Sequence, residues 1–245
     1  MAKVLIEETN LTNIANAIRE KTGKSELITP PNMASEIESI EVGGGGDESD
    51  TIIDYITGET TEVKSNIKTV RNQAFYSGVL TKLELPLATT IGEKAFARSS
   101  LTAISIPSVK VIGKEAFDSC YDLFINKFPD TVEELGASAF TNINTASLIS
   151  NLPPNLKIIG GHIMSGGKFA NPLVIPSTVE SIGAGAFSNS SITTITFKGK
   201  PNTIDVKACQ YNKNLTTINV PWAEGEVANA PWGATNATIN YNYNG

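Results

Sequence analysis

The chain carries a single histidine, His162, inside "IGGHIM". A Ser-His-Asp or Cys-His device would have to run through this imidazole, because the ring is what moves the proton. No G-x-S-x-G elbow lies near it, and its slot in the sequence is a variable one that reads as exposed. Carboxylates occur at Asp118 and Asp122, at Glu133 and Glu134, and in "DESD". Glycoside hydrolysis needs two of them about 5–9.5 Å apart across a cleft. Their spacing singles out no such pair, so they read as solvated surface. Cys120 and Cys209 are far apart and form no CxxC. That pattern gives neither a disulfide framework nor a zinc site, and they read as buried or half-buried free thiols. No G-x-x-x-x-G-K-[ST] loop and no EF-hand spacing occurs, and "GGGG" lacks the strand–helix context that phosphate binding requires. These residues predict no catalytic group, no metal and no cofactor. What remains is the chemistry of contact.

Composition narrows the partners. Of 245 residues 40% are hydrophobic and 18% charged, the net charge is −6, and the pI is about 5.0. Nucleic acid is disfavoured, since neutralising phosphates takes clustered Lys and Arg. No apolar run approaches the roughly 20 residues that span a bilayer. The opening "MAKVLIEETNLTN" has only Val-Leu-Ile before two glutamates, so it does not read as a signal peptide. The expectation is cytoplasmic synthesis.

The elements that would position contact residues come from a repeat. "VRNQAF" at Val70, "IGEKAF" at Ile91, "IGKEAF" at Ile112, "LGASAF" at Leu135, "IGGHIM" at Ile159 and "IGAGAF" at Ile182 share one signature, with "IDVKAC" at Ile204 as a degenerate copy. The steps are 21 to 24 residues. A second column holds the same phase: "LTKLELP" ends at Pro86, "LTAISIP" at Pro107, "FINKFP" at Pro129, "ISNLP" at Pro153, "PLVIP" at Pro176 and "LTTINVP" at Pro221, with "ITTITFK" ending at Lys198 in the proline's place. Such self-similarity means stacked coils that bury together what none can bury alone. The "LTxIxIP" piece reads as a strand closed by Pro. "IGxxAF" reads as a turn or short helix with Ile and Phe inward, and Gly is expected there to permit the bend. The Glu93-Lys94 and Lys114-Glu115 pairs read as water-facing, with their order of no consequence.

Outside the repeat, residues 1–42 read as a small helical module. Leu11, Ile14, Ala15 and Ile18 share one helical face, as do Met33, Ile37 and Ile40. So little core suggests an anchoring or oligomerisation role. Residues 43–50, "GGGGDESD", read as a linker. Residues 51–221 are the expected solenoid with its N-terminal cap, and 222–245 an aromatic C-terminal cap. The fold class is thus an α+β solenoid of about seven repeats, with one strand per repeat in a parallel sheet after a helical module. A parallel β-helix is the alternative.

"LTAISIPSVKVIGKEAF" and "STVESIGAGAFSNSSITTITF" resemble the BspA-type leucine-rich repeat of bacterial surface proteins. "IANAIREKTGKSELITPPNMASEIESI" and "VPWAEGEVANAPWGATNATINYNY" resemble segments of tail-associated proteins in phages and prophages of Gram-positive bacteria. The resemblance implies a non-enzymatic structural or host-recognition role on the virion tail or cell exterior. Its partner would be a protein or glycan on a bacterial or host surface, with residues 1–42 meeting other tail proteins or further copies of the chain. A secreted BspA-like adhesin and a polysaccharide-active enzyme on a β-helix are the alternatives. The strand face then supplies the candidate binding residues: Lys82, Glu84, Ser105, Lys127, Asn151, Thr194, Thr196, Thr217 and Asn219. Trp222 and Trp232 are a second candidate set, for stacking on sugar rings or for the cap's own core.

Overall fold

The computed structural model describes residues 62–245 apart from 145, 147 and 164–167. The helical module expected at 1–42, the linker at 43–50 and the start of the N-terminal cap lie outside the described residues. No described residue is helical, and the turn-or-helix expectation for "IGxxAF" resolves to turns.

Strands are numbered β1 to β16 in chain order. Every coil was expected to contribute one strand; most contribute two. The second is a two-residue strand ending on the Ile of "IG": β2 (Thr69–Val70), β4 (Thr90–Ile91), β6 (Val111–Ile112), β7 (Glu134–Leu135), β9 (Ile158–Ile159), β12 (Ser181–Ile182) and β14 (Thr203–Ile204). These form an unbroken seven-stranded parallel sheet in the order β14-β12-β9-β7-β6-β4-β2. β-branched residues suit a pleated, half-buried surface, and the closing residue of each strand is buried. With two strands per coil, the parallel β-helix geometry also fits.

The turns after this sheet are built on an alternation. Lys94, Arg98, Glu115, Ser119, Ser138 and Asn142 all have positive φ, one residue in every four. Alternate N–H groups then point in different directions. Lys94, Phe96 and Arg98 donate to Lys114, Ala116 and Asp118 of the next coil at 2.8–2.9 Å. Ala95, Ala97 and Ser99 donate back three residues within their own coil, at 3.0–3.3 Å. The turns thereby satisfy their backbone without a helix or a strand.

Gly in "IG" serves a different purpose from the one expected. Gly92, Gly113, Gly136, Gly160 and Gly183 do not have positive φ. A Cβ added at any of them would lie 2.4–2.8 Å from backbone atoms of the preceding coil. The column is glycine because coils approach too closely there for a side chain.

Phe75, Phe96, Phe117 and Phe140 stack with centroids 5.0–5.2 Å apart and planes within 10°. All four are buried. Each contributes about 1.5–3 kcal/mol by burial, and each aromatic pair roughly 0.5–1.5 kcal/mol more.

Charges are ordered along the stack as well. Lys94 lies 3.3 Å from Glu115, and Lys114 lies 4.0 Å from Glu93, across adjacent coils. The Glu-Lys to Lys-Glu swap therefore matters, because identical order would set like charges against each other. A second column runs Lys110, Glu133, Lys157, with contacts of 3.2 Å and 2.7 Å. Glu180 continues it by attracting Lys157. Lys157 and Lys110 hold the Glu133 carboxyl below its ordinary range, and Glu133 holds the Lys157 ammonium above its own.

The strand face is less regular than the Ile sheet. It divides into β1 (Glu62–Lys64), β3 (Lys82–Glu84) and β5 (Ala103–Ser105); β8 (Leu148–Ile149) with β10 (Lys168–Phe169); and β11 (Leu173–Ile175), β13 (Thr194–Phe197), β15 (Thr217–Asn219) and β16 (Thr238–Asn240). The first break follows β5, where the repeat lengthens from 21 to 23 residues. At that step the Ile sheet stays in phase and the opposite side does not, although β13 and β15 pair across an equal 23-residue step further on.

Candidate functional site

The strand-face candidates fall into two groups. Lys82, Glu84, Ser105, Lys127 and Asn151 are exposed. Toward the C-terminus the face closes on itself. Thr196 and Asn219 are only 8% and 7% exposed, and Thr194 and Thr217 are half-buried. Asn219 Nδ2 donates to Thr196 Oγ1 at 3.1 Å, and Asn240 Nδ2 donates to Asn219 Oδ1 at 2.8 Å. This ladder spends the polar atoms a ligand would use. In the fifth coil the expected outward column is displaced: Ile149 points inward and is fully buried, while Leu148 is exposed.

Between the third and fourth coils the face opens. The coils are joined at one end by Phe124 N–H donating to Thr102 O at 3.2 Å. They rejoin where Thr131 Oγ1 donates to Val109 O and Pro107 O, at 2.7 and 3.1 Å. Between these points β5 has no strand partner in the fourth coil, and no backbone hydrogen bond joins 103–106 to 126–130 among the described residues. A slot of about 430 Å³ lies there. Ser105 and Lys127 stand on opposite walls, with Ile104, Ile106, Ile125 and Phe128 beside them and Ile112 and Phe140 deeper in the core. Two predicted residues are thus brought to one opening. The apolar lining was missed; "FINKFP" departing from "LTAISIP" after an extra residue was the available signal.

The slot wall has an orientation. Ala103 N–H donates to Thr81 O, and Ser105 O accepts from Leu85 N–H. In a parallel ladder those residues use both groups toward β3, so the N–H and C=O of Ile104 point toward the slot. Lys127 is held by Asp130 at 3.0 Å.

Trp222 and Trp232 are 5% and 0% exposed. They pack on Phe197 at centroid distances of 5.2 and 5.9 Å and on each other at 6.4 Å. Trp232 Nε1–H donates to Ala228 O at 2.8 Å, and Trp232 O accepts from Cys209 N–H at 2.8 Å. These rings close the stack and leave no face for a sugar.

His162 is exposed, and its Nδ1 lies 3.3 Å from Ser188 Oγ. Both thiols are buried and free. Burial pushes Cys120 up despite hydrogen bonding with Ser99, and pushes Cys209 up to about 12. A protonated thiol is a poor nucleophile. Among the described residues no cluster of His, Cys, Asp or Glu could hold a metal.

A family model described as BspA type leucine rich repeat region matches residues 54–163 and 145–226, in six copies. Among solved structures, the pneumococcal vaccine antigen PcpA aligns at 20% identity over 74% of this chain and 41% of its own, with a TM-score of 0.40. A leucine-rich repeat protein from Bacteroides ovatus aligns at 17% identity over 71% and 64%, TM-score 0.38. One from Eubacterium ventriosum aligns at 22% identity over 74% and 66%, TM-score 0.37. The chain spans less than two thirds of the length of each of these proteins. No curated protein matches it.

Proposed function

Since the chain belongs to the BspA-type leucine-rich repeat family, we propose that it is a non-enzymatic binding protein, tail-associated in a phage or prophage of Gram-positive bacteria. Its solenoid presents the strand face to a protein or glycan on a cell surface. The observation that carries this reading is the asymmetry of that face. Its N-terminal half exposes Lys82, Glu84, Ser105, Lys127 and Asn151 around an open slot, whereas its C-terminal half is closed by its own Thr–Asn ladder. Curved repeat surfaces of this kind hold extended partners. Residues 1–42 attach the protein to other tail components or to further copies of itself. It is made in the cytoplasm and reaches the cell exterior on the virion. The likeness of its two flanking segments to phage tail proteins supports this placement.

Binding of the full chain to fractionated Gram-positive walls tests the function. A saturable interaction that weakens when Lys82 and Glu84 are both replaced by Ala is expected. Absence of binding to every wall protein and glycan fraction would overturn it. Tail and lysis genes beside this one are expected, and a lone gene with an export signal would favour the adhesin instead.

A further inference from the structure

We propose that the slot between the third and fourth coils is a receptor for a bulky apolar side chain on an extended segment of a protein partner. The inference rests on the binding role above and narrows its partner from protein or glycan to polypeptide. Three observations carry it. The first is the lining: Ile104 and Ile125, both half-buried, stand at the opening, backed by Ile106, Phe128, Ile112 and Phe140 of the core. Such a surface matches an aliphatic or aromatic side chain and offers a sugar's hydroxyls few partners. The second is the backbone of Ile104. Its N–H and C=O face the slot, the pair of groups that an extended peptide meets with its own C=O and N–H. The third is the rim. Phe124, which precedes Ile125 in the chain, is 50% exposed. Ser105, Lys127 and the Lys127–Asp130 pair supply the polar edge. An apolar pocket with a polar rim is the arrangement in which one anchor residue carries most of the binding. The occupant is limited in length, because the coils rejoin at Thr102–Phe124 and at Thr131.

The test is selection of random linear heptapeptides on the purified full chain, with Kd values by fluorescence polarisation and isoleucine methyl NMR. Selected peptides should converge on a bulky apolar residue and shift the methyl signals of Ile104, Ile106 and Ile125. They should bind at least tenfold more weakly to Ser105→Arg and to Ile125→Lys, each checked for unchanged melting. Ser105 is exposed, so its variant keeps the test valid if Ile125→Lys is unstable. Peptides without an apolar consensus, equal binding by both variants, or competition by purified wall glycan would overturn the proposal. If wall binding survives both slot variants but is lost with Lys82→Ala/Glu84→Ala, the slot assignment falls and the general function stands. If neither walls nor peptides bind, both fall.

Discussion

Replacing Gly136 by Ala tests what holds the coils in contact. A Cβ there would lie 2.5 Å from Gly113 C and Lys114 N and 2.8 Å from Gly113 O, all backbone atoms of the preceding coil. Ordinary contact begins at 3.4 Å, so the two coils must part by roughly 0.9 Å. At that seam Gly136 N–H donates to Ile112 O at 2.7 Å and Glu115 N–H donates to Ala137 O at 2.8 Å. Parting the coils takes both beyond useful hydrogen-bond range. Overpacking costs about 1–3 kcal/mol, and each lost bond about 0.5–1.5 kcal/mol. The expected loss is about 4 kcal/mol. For a protein of this size that lowers Tm by roughly 8–16 °C. Calorimetry and urea unfolding followed by tryptophan fluorescence read it directly, since both tryptophans are buried. Arg71→Ala is the control: Arg71 occupies the same column in the first described coil, and a change within about 0.5 kcal/mol is expected there. A loss below about 1 kcal/mol at Gly136 would refute the close-approach argument.

Exchanging Lys114 and Glu115, to give Glu-Lys in both coils, places Glu beside Glu93 and Lys beside Lys94; Tm should fall by a few degrees at low ionic strength and recover in 1 M salt. Glu133→Gln should lower Tm at pH 7 and converge with wild type on acidification. A carboxyl whose folded pKa is depressed adds stability above its unfolded value, near 4.5, and loses it as pH falls through the lower folded value. The raised Lys157 gives the opposite limb, a contribution lost only as pH climbs past 10.5. Cys120 and Cys209 should resist a thiol reagent at neutral pH in the folded protein and react fully in denaturant; rapid labelling of either in the native state would contradict their burial. Trp232→Ala should cost about 3–5 kcal/mol, and saturating monosaccharides should leave wild-type fluorescence unchanged.

Much of the fold was legible because the repeat is written in residues that must fit their neighbours. Ile91 and Ile112, or Phe96 and Phe117, recur in sequence because they stack in space. The second strand of each coil was not legible. Two residues such as Thr90–Ile91 show no alternation, and only the neighbouring coil makes them a strand. The reason for the glycines was misread for a related cause: a bend belongs to one coil, a close approach to two. The candidate face was half legible. Counting two residues back from each Pro placed Glu84, Ser105 and Lys127 outward. It did not reveal that Asn219 and Thr196 satisfy each other, or that Ile149 turns inward after the period changes. Ser105 and Lys127 were named as separate points on one face. That they share an opening depends on a break in pairing that no single repeat records.

The column Lys110, Glu133, Lys157 and Glu180 has a consequence for how such a chain grows. The structural repeat is one coil, but the electrostatic repeat is two. Removing or duplicating a single coil inside this stretch would leave every Ile and Phe in phase while setting Lys against Lys or Glu against Glu. Removing or duplicating two would leave both patterns intact. The stack therefore carries a parity: over these coils the packing tolerates any whole number of units, and the charges tolerate only even ones.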